Sequence, residues 1–150
     1  MRIETTNICN SQCIMCPREK LTRPLGVMDF DLFRSILDEA VGYGIRSVFL
    51  GGYGEPLADP LRVERIRYAK SKRLRCNFIS NGSLLTEEVS RALIEAGLDE
   101  VRFSIYGTTK EVFEKVHTRL SFEKVVGNVN RLLELKGELG KFQEQWEPMM

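Results

Sequence analysis

Four short runs rich in β-branched and aromatic residues alternate with amphipathic helical segments, and this predicts an α/β fold on a parallel sheet. Each loop of unusual composition directly follows one of those runs. Right-handed crossovers would bring all such loops to one face of the sheet, where ligands of parallel α/β folds collect. The chain has 150 residues, 43% of them hydrophobic, enough for one domain with its own core.

The elements follow in order. Arg2–Thr6 alternates and reads as a first strand. Asp29 caps a helix whose apolar positions Phe30, Phe33, Ile36, Leu37, Ala40 and Val41 keep the helical period; Gly42 and Gly44 end it. Ser47–Leu50 is a buried strand with GGYGEPL as its exit loop. Asp59-Pro60 has the cap-then-proline form of a helix start. Arg75–Ser80 is the third strand, turned by Asn81-Gly82. Thr86 caps a helix carrying Val89, Ala92, Leu93 and Ala96, and Glu100–Ile105 is the fourth strand. Thr108 and Glu111 have capping-box spacing for the next helix. A last, longer helix runs from about Ser121, with Phe122, Val125, Val126, Val129, Leu132 and Leu133 on one face.

Bulk properties exclude several classes. With 22 basic and 21 acidic residues the net charge is +1, so no basic surface for nucleic acid is expected. No apolar run approaches a membrane span, and MRIETTNICN has no signal-peptide core; a cytoplasmic protein is expected. The cysteines stand at 9, 13, 16 and 76, a poor disulfide framework that reads as metal or cofactor ligation instead.

C-N-S-Q-C-I-M-C is C-x₃-C-x₂-C. Three thiolates on one short loop take three corners of a cubane and leave the fourth iron open to a small chelating ligand. A structural zinc site would want a fourth protein ligand, and Cys76 or His117 is distant and outside metal-motif spacing. From the triplet alone both metals stay open, as does a metal-binding module without catalysis.

The stretch TNICNSQCIMCPR, with TRPLGVMDFDLF after it, resembles the cluster loop of the radical S-adenosylmethionine (SAM) superfamily, in particular the peptide- and cofactor-maturing branch with SPASM or twitch extensions. The resemblance implies that Cys9, Cys13 and Cys16 ligate a [4Fe–4S] cluster, with Met15 where the family usually has an aromatic residue against adenine. GGYGEP resembles the family's GGEP loop, whose backbone receives the methionine amino group of SAM, making Gly52, Tyr53, Gly54 and Glu55 candidate contacts. Asn81 stands where the family has its TNG loop near SAM. Ser104 in RFSIYG stands at its SIDG strand end, with Tyr106 in place of the aspartate. The implied activity is reductive cleavage of SAM to a 5′-deoxyadenosyl radical that abstracts hydrogen from a peptide or small metabolite. An electron donor of flavodoxin or ferredoxin type is the implied partner, and an inactive partner subunit is the alternative.

The implied architecture is a partial TIM-barrel-like core, with about four of the family's six β/α units in residues 1–136. Residues 137–150 are expected to be a tail similar to the helix after strand five. Four strands leave an open sheet edge that calls for a covering partner. Of the remaining residues, Cys76 reads as a small buried hydrophobe, His117 as a surface residue on a charged helix, and Trp146 and Met149-Met150 as a terminus. Arg18 and Arg23 are placed to neutralise the cluster or substrate, or to lie in solvent.

Overall fold

The computed structural model describes residues 1–138. The predicted tail, including Trp146 and Met149-Met150, falls almost wholly outside them. Strands β1 (Arg2–Ile3), β3 (Ser47–Leu50), β4 (Arg75–Ser80) and β5 (Glu100–Phe103) form one parallel sheet in the order β1-β3-β4-β5. Between them run helices α1 (Phe30–Gly42), α2 (Arg62–Ser71) and α3 (Glu87–Glu95); α4 (Lys110–Val116) and α5 (Phe122–Glu138) follow the last strand. A separate antiparallel ribbon pairs β2 (Gln12–Cys13) with β6 (His117–Thr118).

The sheet turns one side of each strand toward the helices, fully burying residues on β1, β3 and β4 and partly burying Val101 and Phe103 on β5. Val48, Leu50, Cys76 and Phe78 meet Phe33 and Leu37 of α1, Ile66 and Ala69 of α2, Leu93 of α3 and Leu132 of α5 in one core. Cys76 is fully buried there, and burial pushes its thiol up to about 12, as befits a small core hydrophobe. On the other side, cross-strand neighbours Arg2, Phe49, Asn77 and Glu100 lie in register, with exposed Arg75 and Arg102 beside them. Parallel sheets are normally covered on both faces by apolar packing. A polar second face suits the inner wall of a barrel.

Several boundaries differ from expectation, each for a local reason. The first strand stops at Ile3 because residues 5–7 turn away to pair with 26–28: Met28 N–H donates to Thr5 O (2.8 Å) and Thr6 Oγ1 to Gly26 O (2.9 Å). Helix α2 begins at Arg62, not Pro60, because the Asp59 carboxylate accepts from Leu61 N–H (2.9 Å) and from Arg65 Nε (2.8 Å). Helix α4 is capped by Thr109 rather than Thr108, its hydroxyl accepting from Val112 N–H. The fourth strand ends at Phe103, two residues early, where Ile105 N–H turns back to Phe103 O. Asp29 and Thr86 cap α1 and α3 as expected.

Glu87 ties α3 to α5. Its carboxylate accepts from Arg131 Nε (2.9 Å) and Arg91 Nη2 (2.7 Å), and these guanidinium hydrogen bonds hold its pKa at about 2, below the ordinary 4.5. A depressed carboxylate contributes stability that is complete above 4.5 and is lost as pH falls through its folded value. Glu87→Gln therefore lowers Tm at pH 7, and the gap to the parent protein closes between pH 4.5 and about 2. Thermal melts of both proteins across that window check it; a gap independent of pH would contradict it.

Candidate active site

All four loops at the carboxyl ends of the parallel strands meet, and the cysteine loop lies against two of the others. Glu55 N–H donates to Ile8 O (2.8 Å), joining GGYGEP to the residue before Cys9. Asn81 Nδ2 donates to Asn10 Oδ1 (3.0 Å), and Asn10 Nδ2 to Ser83 Oγ (2.7 Å), joining the turn after β4 to the residue after Cys9. Ser104 N–H donates to Ser80 O (3.0 Å), joining the ends of β4 and β5. The cysteine loop is itself braced by Asn7, whose side chain accepts from Gly26 N–H (2.7 Å) and donates to Pro24 O (2.8 Å).

Cys9, Cys13 and Cys16 are free, half-buried thiols on this loop. Cys16 N–H donates to Cys13 O (3.0 Å), a turn that carries Met15, 52% exposed, on its outside. A cavity of about 320 Å3 opens between Cys13, Cys16, Ser11 and Arg18. Burial holds the Cys9 thiol above its ordinary pKa; Glu55 adds to this and Arg18 opposes it. Among the described residues no three His, Cys, Asp or Glu side chains converge on a single-ion site. Three half-buried thiols on one loop, Cys13 and Cys16 of them lining the cavity, form a donor set that fits a cluster with one thiolate per iron.

Glu55 itself turns inward. Its Oε1 accepts from Ser80 Oγ (2.7 Å) and Leu57 N–H (3.0 Å), and its Oε2 from Asn81 N–H (2.8 Å). Burial raises its pKa, and these three donors work against that rise. The side chain is thus a strut between two loops. The carbonyls of Gly52, Tyr53 and Gly54 accept no hydrogen bond from the described residues. Tyr53 N–H donates to Glu4 Oε1 (2.6 Å), and Glu4 pairs with Arg23 beside a second cavity of about 450 Å3. Arg18 donates to Ser11 O (3.4 Å) on the cysteine loop.

Gly54 touches the cysteine loop so closely that a Cβ would overlap Thr6 O and lie 2.7 Å from Thr6 C and 2.9 Å from Asn7 Cα. These are backbone atoms with no flexible end to move aside. Gly54→Ala should cost about 1–3 kcal/mol of stability, the range for overpacking, and displace residues 6–9. Denaturant unfolding, with iron uptake on reconstitution, checks this; unchanged values for both would refute the close-approach reading.

His117 departs most from expectation. It sits at the end of α4, 1% exposed, with Nδ1 3.2 Å from Cys13 Sγ and its ring against Phe113 and Tyr106. Desolvation lowers its pKa, favouring the neutral ring. Its charged neighbours Glu114 and Lys115 give this stretch the pattern of a solvated helix face; the signal for burial lay in Phe113 and Tyr106, which bracket the ring.

Comparison with known sequences decides the family: the radical SAM superfamily pattern matches residues 3–140. The chain belongs to the radical SAM superfamily. SAM and a [4Fe–4S] cluster are that family's characteristic cofactors. The chain is 36% identical over 104 residues, 69% of its length, to the tungsten-containing aldehyde ferredoxin oxidoreductase cofactor-modifying protein of Pyrococcus furiosus. It is 33% identical over 136 residues, 89% of its length, to the GTP 3′,8-cyclase of Chlorobaculum tepidum. It spans 29% and 40% of those two relatives. Among solved structures, Streptococcus suis SuiB bound to SAM overlays with a TM-score of 0.76 at 15% identity, covering 89% of this chain and 31% of SuiB. SuiB bound to its precursor peptide SuiA gives 0.74. At such identity these overlays speak for the fold, a partial radical SAM barrel.

No helix among the described residues is long and apolar enough to cross a membrane.

Proposed function

We propose that this chain is the cluster- and SAM-binding part of a radical SAM enzyme, with Cys9, Cys13 and Cys16 as the iron ligands. The observation that carries this is the contact of the cysteine loop with both GGYGEP and the Asn81 turn, through Glu55 N–H to Ile8 O and Asn81 to Asn10. When bound, the cluster and SAM supply one-electron cleavage of the sulfonium and hydrogen abstraction from the substrate.

The protein's own work is placement. The open carbonyls of Gly52, Tyr53 and Gly54 offer acceptors for the methionine ammonium, at a loop where glycine lets the backbone approach closely. Glu55 holds that loop to Asn81 rather than contacting ligand with its carboxylate. Asn81 and Ser104 stand at adjoining strand ends to shape the ribose and carboxylate side, and Met15 lies on the loop rim for the adenine side. The exposed Ile14 and Met15 on the cysteine loop and Tyr106 after β5 are apolar groups available to exclude water when ligand is bound.

A peptide or small metabolite is the proposed substrate class, supported by the cyclase and cofactor-modifying relatives. A flavodoxin- or ferredoxin-type donor supplies the electron, in a cytoplasmic setting. A partner covers the sheet edge at β5, an end strand of the sheet among the described residues.

Anaerobic purification, iron and sulfide analysis, then reduction with SAM and assay for 5′-deoxyadenosine test the proposal. Iron, sulfide and the nucleoside together support it. Zinc without sulfide would replace it with a metal-binding module, and a cluster without nucleoside with an inactive partner subunit.

A further inference from the structure

The ribbon of β2 and β6 joins residues more than a hundred positions apart, and it centres on one pair, Cys13 opposite His117. Ile14 N–H donates to Val116 O (3.1 Å), Ser11 Oγ donates to Thr118 O (3.2 Å), and Thr118 Oγ1 donates to Gln12 O. Their combined result is to fix Cys13 relative to the imidazole.

The imidazole is fixed as well. Its plane lies 16° from that of Tyr106 at 5.4 Å between centroids, and Phe113 packs at 4.6 Å on it. Tyr106 N–H donates to Nε2 (3.2 Å), so Nε2 is the unprotonated nitrogen of a neutral ring. The proton is therefore on Nδ1, which faces Cys13 Sγ at 3.2 Å, within range for a hydrogen bond to sulfur. Ser11 Oγ (3.2 Å) is the second polar group at Cys13. Cys9 has the Ser11 backbone beside it, and among the described residues His117 is hydrogen-bonded to Cys13 and to neither Cys9 nor Cys16. One ligand of the three is singled out.

We propose that His117 is a positioning residue for Cys13, donating an Nδ1–H···S hydrogen bond to this cluster ligand and thereby raising the reduction potential of the cluster. The proposal rests on the reading of Cys9, Cys13 and Cys16 as iron ligands. The sign follows from charge. A donor to a ligand sulfur stabilises negative charge there, and the reduced cluster carries one more electron than the oxidised one. The same bond orients the thiolate, as outer hydrogen bonds do for metal ligands generally.

The test uses the anaerobically reconstituted chain, titrated with dithionite and read by the EPR signal of the reduced cluster. His117→Phe keeps an aromatic ring between Tyr106 and Phe113 but has no donor. It should take up iron and sulfide like the parent yet shift the reduction equilibrium about tenfold toward the oxidised form, about 59 mV for one electron. His117→Gln, which keeps an N–H donor, should recover part of that shift. A parent-like potential in His117→Phe with a full cluster overturns the proposal.

Should His117→Phe fail to fold or to hold iron, the unaltered protein decides. Because the sequence contains one histidine, labelling with ¹⁵N-histidine marks His117 alone. Pulsed EPR of the reduced cluster should then show a ¹⁵N coupling, and its absence overturns the proposal. Zinc uptake without sulfide would remove the cluster reading itself, whereas an intact cluster with neither shift nor coupling removes only the role of His117.

Discussion

Replacing Cys9, Cys13 and Cys16 together with alanine is expected to abolish the iron–sulfur absorbance and all 5′-deoxyadenosine formation while leaving the fold almost unchanged. The two halves of this prediction have separate causes. Ligation fails because alanine has no donor atom, and no alternative group of three metal-binding side chains converges on one point among the described residues. Folding survives because the three thiols are only half-buried and lie outside both hydrophobic cores. The substitution removes two Cys13 interactions, with His117 and with Ser11. Each is worth about 0.5–1.5 kcal/mol as a net hydrogen bond, and less for sulfur. Anaerobic reconstitution with iron and sulfide assay, beside a denaturant titration, reads both halves. Retained cluster absorbance in the triple variant would contradict the ligand assignment, and global unfolding would contradict the loop's peripheral place.

What the sequence made legible is what is local. The cysteine spacing, the Asp29 and Thr86 caps and the strand runs at 47–50 and 75–80 each depend on residues within a turn or two of one another. The parallel sheet followed because its strands alternate with helices. What escaped depends on distant partners. Thr5 and Thr6 look like strand, but their hydrogen bonds go to Gly26 and Met28 across a loop. Asp59 looks like a helix cap, but its second oxygen belongs to Arg65. His117 reads as exposed until β6 pairs with β2, a contact over 104 positions that no periodicity encodes. Glu55 is the intermediate case: the motif marks it, yet only packing shows its carboxylate spent on Leu57, Ser80 and Asn81. Motifs name residues that matter at a site; the folded contacts say which atoms face the ligand and which face the protein.

The largest loss of stability is expected at Asp59, beneath the loop that follows β3. Asp59 and Arg65 are both 0% exposed, and Arg65 Nε donates to Asp59 Oδ2 at 2.8 Å. Arg65 Nη2 donates onward to Met28 O, and Met28 N–H donates to Thr5 O, so the pair is linked to the backing of the cysteine loop. The guanidinium lies over Phe33 at 4.9 Å, and its buried Nη1 has no hydrogen-bond partner among the described residues, so Asp59 is the charge that balances it. Asp59→Ala leaves a buried cation unpaired and should cost about 3–5 kcal/mol, read as a lower denaturant midpoint. Adding Arg65→Met removes that cation while keeping much of its volume, and should restore most of the loss. A double variant as unstable as Asp59→Ala alone would mean that the Leu61 N–H contact of Asp59, not the buried charge, carries the effect. The single variant should also take up less iron than the double, because slack at Met28 passes through Thr5 to the strand end that presents Cys9. Equal iron uptake in both would mean that the buried pair and the cysteine loop are not coupled.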